Sequence, residues 1–132
     1  MQEVYDFLKD KCQSLYFIAS IDGDQARLSR FGTIDIFDGQ LTIQTGKGKD
    51  CYKQFKENPK VEICGCAGPE WVRVACTLVE VDTVEAKKHM LDAYESLRAI
   101  YDENDDITAI FAITEATATF ASFTAEPHTV TF

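Results

Sequence analysis

The sequence predicts an α+β fold that is mainly β. Six or seven mostly antiparallel strands form a small barrel, with helices covering or plugging its ends. Three observations carry this expectation. Apolar and polar residues alternate in short runs such as 41–45 and 71–81, the period of a half-buried strand. Turn sequences separate the runs at Asp22-Gly23-Asp24, Asp38-Gly39 and Gly68-Pro69. Two helical patterns interrupt the strands, which suits helices packed over the ends of a barrel.

Taken in order, residues 3–11 place Val4, Phe7 and Leu8 on one face of a short amphipathic helix. Residues 15–21 form a strand ended by the Asp22-Gly23-Asp24 turn. A long second strand follows over 26–37, folding back at Asp38-Gly39 onto a strand at 41–45. Residues 49–57 read as a helix stopped by Asn58-Pro59, because proline disfavours helical geometry in the residue before it. A fourth strand occupies 61–66. The fifth, at 71–81, puts Val72, Val74, Cys76 and Leu78 on its core face. Asp82-Thr83-Val84-Glu85 resembles a capping box opening the main helix, where Met90, Leu91, Tyr94, Leu97 and Tyr101 keep helical spacing. Ser96 is a candidate cap for an offset second segment. An acidic loop at 102–106 precedes a last pair of strands, 107–113 and 116–123, turning near Thr114-Glu115, and Pro127 ends regular pairing. With no repeat or linker, residues 1–132 are expected to form a single domain.

The chain carries a net charge of −9, which argues against nucleic acid and anionic membranes as partners. The distribution of that charge is more informative. Residues 27–60 hold seven basic side chains against four acidic ones, so this window is +3 while the remainder is −12. A positive island in an acidic protein suits a small, strongly anionic ligand. No apolar run approaches the roughly 18 residues of a membrane span, and the N-terminus lacks a basic-then-apolar leader, so a cytoplasmic location is expected. Five cysteines are then expected to stay reduced. Cys64 and Cys66 lack the further ligands of a zinc site, so no metal is assigned and both read as small buried apolar residues.

The island centres on residues 26–50. The Asp38-Gly39 hairpin would bring Arg27, Ser29 and Arg30 beside Thr45, Lys47 and Lys49. Guanidiniums, ammoniums, hydroxyls and the start of a helix would then converge, which is the chemistry of a phosphate site. Strict alternation puts Arg27 and Arg30 on opposite strand faces, so both cannot grip one phosphate without a bulge.

The stretches 26–31 (ARLSRF), 39–45 (GQLTIQT), 49–64 (KDCYKQFKENPKVEIC) and 71–75 (WVRVA) carry a resemblance. They resemble the FMN-binding split barrels related to pyridoxamine 5′-phosphate oxidase, especially their short bacterial members. The resemblance implies a homodimer with FMN bound at the subunit interface. It also implies a phosphate held by Arg27, Thr45 and a loop lysine, with Leu28, Ser29 and Arg30 beside the flavin ring and Trp71 near its edge. The family's usual serine-x-lysine reads Gly46-Lys47-Gly48-Lys49 here, and Lys49 is favoured because it opens the helix. Arg30 or Arg73 could sit near the pyrimidine edge of the ring, favouring an anionic reduced flavin. Either could equally pair with a surface acid.

A flavin carries its own redox chemistry, and no catalytic triad stands out; His89 reads as solvated and His128 as a tail residue. The namesake oxidase holds its substrate phosphate with basic residues late in its chain, yet no lysine or arginine follows Arg98 here. Turnover of pyridoxamine phosphate is therefore not expected. Two functions remain. One is an oxidoreductase passing electrons from a nicotinamide or other reduced donor to a small organic acceptor, such as a quinone or nitro compound. The other is a non-catalytic protein that binds, stores or senses flavin, deazaflavin or haem.

Overall fold

Alternating sequence becomes one antiparallel sheet of eight strands in the computed structural model, which describes residues 1–132. The strands are β1 (Tyr16–Asp22), β2 (Gln25–Phe31), β3 (Asp35–Phe37), β4 (Gln40–Gly46), β5 (Lys60–Ala67), β6 (Glu70–Glu80), β7 (Thr108–Ser122) and β8 (His128–Thr131). Their order across the sheet is β2-β1-β5-β6-β7-β4-β3, with β8 added on β7. Long β7 carries the closure: its first half pairs with β4, its second half with β8, and β6 pairs with stretches of both. β2 pairs only with β1, and β4 only with β3 and β7. The barrel is therefore split between β2 and β4.

Four helical pieces close the ends. α1 (Gln2–Asp6) widens into a π-helical turn (Phe7–Lys11), α2 (Asp50–Glu57) follows β4, and α3 (Val84–Ala93) follows β6. A 3-10 turn (Glu95–Ala99) then leads toward β7. No helix is long and apolar enough to cross a membrane. Inside the barrel an aromatic chain runs Tyr16–Phe31–Phe55–Phe111, with ring centroids 6.0, 6.0 and 5.5 Å apart. Phe55 is the rivet of α2, buried between a strand on each side of the split.

Gly65 explains how the N-terminal helix reaches the sheet. A Cβ there would lie 2.5 Å from Leu8 Cδ2 and 3.0 Å from Cys12 Sγ, both buried. Gly65→Ala should cost about 1–3 kcal/mol, the usual penalty for overpacking, measured as a lower urea midpoint with an unchanged m value. An unchanged midpoint would show that this packing yields freely.

Four expectations about elements need correction. The strand over 26–37 is broken: Thr33, Ile34 and Asp35 are all buried, a run that alternation forbids, so the chain leaves β2 at Gly32 and re-enters the sheet as β3. The pieces at 107–113 and 116–123 are one strand, bent rather than turned at Glu115, whose φ is +48°. Pro127 does not end pairing, because β8 follows it at once. The main helix stops at Ala93, and its cap is Thr83, whose hydroxyl accepts the Ala86 amide at 3.2 Å. Cys64 and Cys66 are also not core residues. Cys64 is half-buried and Cys66 exposed, whereas Cys12, Cys51 and Cys76 are buried, and all five are free thiols.

Candidate functional site

The split in the barrel is a cavity of about 520 Å³. β2 contributes Ser29, Arg30 and Phe31; the crossover adds Gly32 and Thr33; the end of β4 adds Gln44 and Thr45. The start of α2 supplies Lys49, Asp50 and Cys51, and Leu97 and Tyr101 form the remaining wall.

Two phenols hold the crossover in place. The Tyr16 hydroxyl donates to the Thr33 carbonyl, and its complete burial pushes that phenol well above its ordinary pKa. The Tyr94 hydroxyl donates to the Ile34 carbonyl at 3.0 Å and accepts the Ile34 amide at 3.1 Å. With its proton so committed, Tyr94 receives the hydrogen bond from Ser14 Oγ, 2.8 Å away. Side chains thus satisfy backbone groups that a strand partner would otherwise hold. One link spans the split, from the Gln44 amide to Thr33 Oγ1 at 3.2 Å.

Charge distinguishes the candidate cations. Arg27 pairs with Asp22 at 3.5 Å, Lys47 with Asp82 at 3.8 Å and Arg73 with Glu62 at 2.8 Å. Arg30 and Lys49, the two that line the cavity, form no ion pair. Lys49 is the N-cap of α2, and the amides of Asp50 and Cys51 donate to nothing in the chain. Thr45 Oγ1 lies 3.4 Å from Cys51 Sγ and so ties the end of β4 to that helix start. Two cations, two hydroxyls and helix-start amides form a donor set suited to a phosphate.

The expected site therefore divides. Ser29, Arg30, Thr45 and Lys49 meet at the cavity. Arg27 does not: it lies opposite Ser20 on β1, at the far end of β2, because the hairpin folded at Asp38-Gly39 carries β3 and not β2. Lys47 turns to Asp82 instead. Leu28, Trp71 and Arg73 belong to the open outer face of the sheet, where Trp71 packs on Phe123 with ring centroids 5.2 Å apart. Trp71 and Arg73 line a separate cavity of about 400 Å³ with Glu62, Thr119 and Pro127. His89 is not simply solvated, since its Nδ1 lies 2.5 Å from buried Asp35. His128 stacks on Phe120 and bonds Glu3 at 2.8 Å. Neither histidine lines the cavity.

Sequence reasoning missed Gln44, Cys51, Leu97 and Tyr101 as cavity residues. No local signal in the sequence pointed to Tyr101. Gly46 follows Thr45, and a Cβ on it would lie 2.8 Å from the Tyr101 hydroxyl, so the glycine lets that ring settle over the loop. The segment after Tyr101 is knotted by Asp105, whose carboxylate accepts the Asp102, Ile107 and Thr108 amides and the Thr108 hydroxyl at 2.9–3.2 Å. Burial pushes this carboxyl up, but the hydrogen bonds outweigh it and hold the group below its ordinary 3.8. A carboxyl lowered by folding stabilises the protein at neutral pH, and that contribution is lost as pH falls through the lowered value. Between pH 5 and pH 3 the wild type should therefore lose more unfolding free energy than Asp105→Asn, in urea titrations at each pH. Parallel losses would contradict this.

The whole fold superposes on a crystal structure of a NimC/NimA family protein from Clostridium acetobutylicum, with a TM-score of 0.95 and 34% identity. The match covers 100% of this chain and 92% of that one. The chain belongs to the NimC/NimA family. Fold alone relates this NimC/NimA member to more distant structures. A pyridoxamine 5′-phosphate oxidase-related, FMN-binding protein from Nostoc punctiforme matches with a TM-score of 0.68 and 9% identity, over 99% of this chain and 95% of that one. A haem-binding protein from Mycobacterium smegmatis matches with a TM-score of 0.68 and 11% identity, over 89% of this chain and 52% of that one. The fold is thus that of the split barrels related to pyridoxamine 5′-phosphate oxidase. No family model and no curated protein matches the chain.

Proposed function

We propose that this NimC/NimA member binds FMN and passes electrons from a reduced nicotinamide or similar donor to a small organic acceptor. The carrying observation is the pair of unpaired cations, Arg30 and Lys49, beside Ser29, Thr45 and a helix start at one cavity. When bound, FMN supplies the redox chemistry. The chain's own work is then to grip and orient: Arg30 and Lys49 neutralise the phosphate, the Ser29 and Thr45 hydroxyls and the first α2 amides donate to it, and Phe31 offers an apolar wall.

The proposed assembly is a cytoplasmic homodimer joined through the outer sheet face, with FMN at its edge. Phe17, Ile21 and Leu28 expose 41%, 44% and 69% of their surface there, and Arg30 sits opposite Phe17 on the same face. Haem fits less well, because neither histidine is at the cavity to serve as an axial ligand. Pyridoxamine phosphate is not the proposed substrate, since a second phosphate would need cations that the last 34 residues lack.

The test is to load the purified protein with FMN and add NADH or NADPH without oxygen. Bleaching of the flavin spectrum, followed by its return on adding a quinone or nitro compound, supports an oxidoreductase. Tight FMN binding with no bleaching by either nucleotide argues against a nicotinamide donor and favours a binding role. Sedimentation of the same sample should give a dimer.

A further inference from the structure

The hydroxyls of Tyr16, Tyr52 and Tyr94 each bond a partner inside the fold. That of Tyr101 bonds none, although it lies over Gly46, one residue after Thr45 and three before Lys49. A free phenol donor thus belongs to the same cavity wall as Thr45 and Lys49.

We propose that the Tyr101 hydroxyl donates to the anionic end of the bound ligand, and that Asp105 is the residue that positions it. The proposal rests on the FMN reading above and adds to it a determinant of selectivity for phosphate. Position is fixed from both sides of the residue. On its N-terminal side, the Tyr101 amide donates to the Leu97 carbonyl at 2.9 Å, an α-type turn that follows the 3-10 segment. On its C-terminal side, the peptide joining Tyr101 to Asp102 is held through the Asp102 amide, which donates to Asp105 Oδ2 at 2.9 Å. The knot is itself moored to α3. Buried Lys87 donates to the Asp105 carbonyl at 3.3 Å and pairs with Asp82 at 3.2 Å. Gly46 completes the arrangement, since any larger residue would displace the ring.

A phenol donating to a phosphate makes a charge-assisted hydrogen bond, which a neutral ribityl chain ending in a hydroxyl does not match. Tyr101 therefore favours FMN over riboflavin. Asp105 touches no ligand and acts through Tyr101.

The experiment measures dissociation constants for FMN and riboflavin by flavin fluorescence quenching. The proteins are the wild type, Tyr101→Phe, Asp105→Ala and the double variant. Tyr101→Phe should reduce the preference for FMN about tenfold, with riboflavin affinity unchanged. Asp105→Ala should reduce the preference comparably, and the double variant no further than either single one. Should Asp105→Ala show no cooperative melt, Asp105→Asn replaces it: one oxygen remains for the Ile107 and Thr108 amides, while the acceptor of the Asp102 amide is lost. An unchanged preference in Tyr101→Phe overturns the proposal. Losses that add fully in the double variant overturn the part given to Asp105. A wild type that binds FMN but prefers it no more than riboflavin also overturns it. A wild type that binds neither sinks the FMN reading itself.

Discussion

Replacing both cavity cations, Arg30→Ala with Lys49→Ala, should weaken FMN binding by about a hundredfold or more while leaving the fold intact. Each removes a hydrogen bond to a charged group, worth about 1.5–3 kcal/mol, and every 1.4 kcal/mol is about tenfold in affinity. Neither side chain is part of the buried core, so the melting temperature should stay near that of the wild type. The informative controls are Arg27→Ala and Lys47→Ala. Those side chains pair with Asp22 and Asp82 and do not line the cavity, and their removal should leave FMN affinity unchanged. Isothermal titration with FMN reads all three variants against the wild type. If Arg27→Ala releases FMN while the double variant keeps it, the phosphate belongs elsewhere.

The second large effect concerns stability. Phe55→Ala should cost about 3–5 kcal/mol, the range for removing a fully buried phenylalanine. The ring is 1% exposed and packs on Phe31 at 6.0 Å and on Phe111 at 5.5 Å. For a domain of this size that corresponds to a fall in melting temperature of about 10–20 °C. Because Phe31 lines the cavity and α2 begins it, the same variant should also lose FMN affinity at temperatures where it remains folded. Calorimetry with and without FMN separates the two losses. A decrease below about 1 kcal/mol would mean that the core collapses around the missing ring.

What could be read in the sequence was whatever depends on local pattern. The core face of β6, the α2 helix ending at Asn58-Pro59, and the Asp38-Gly39 turn with φ of +51° and +73° each follow from a few neighbouring residues. The resemblance led to the right fold. What stayed hidden was long-range pairing. Nothing local in 26–37 says that β2 lies on β1, or that Tyr16 and Tyr94 hold the backbone at Thr33 and Ile34 in place of a strand. That one break moves Arg27 away and leaves Arg30 at the cavity. Tyr101 was equally illegible, since helical spacing places it on a helix that stops at Ala93. Its position depends on Asp105, Lys87 and Gly46, which lie far apart in the chain or share no period.

A crystal structure grown with excess FMN tests the cavity assignment most directly. The flavin phosphate should lie within about 3 Å of donors from Arg30, Thr45, Lys49 and the first amides of α2. A phosphate held instead against Arg27 or Arg73, or no flavin between β2 and β4, would contradict it.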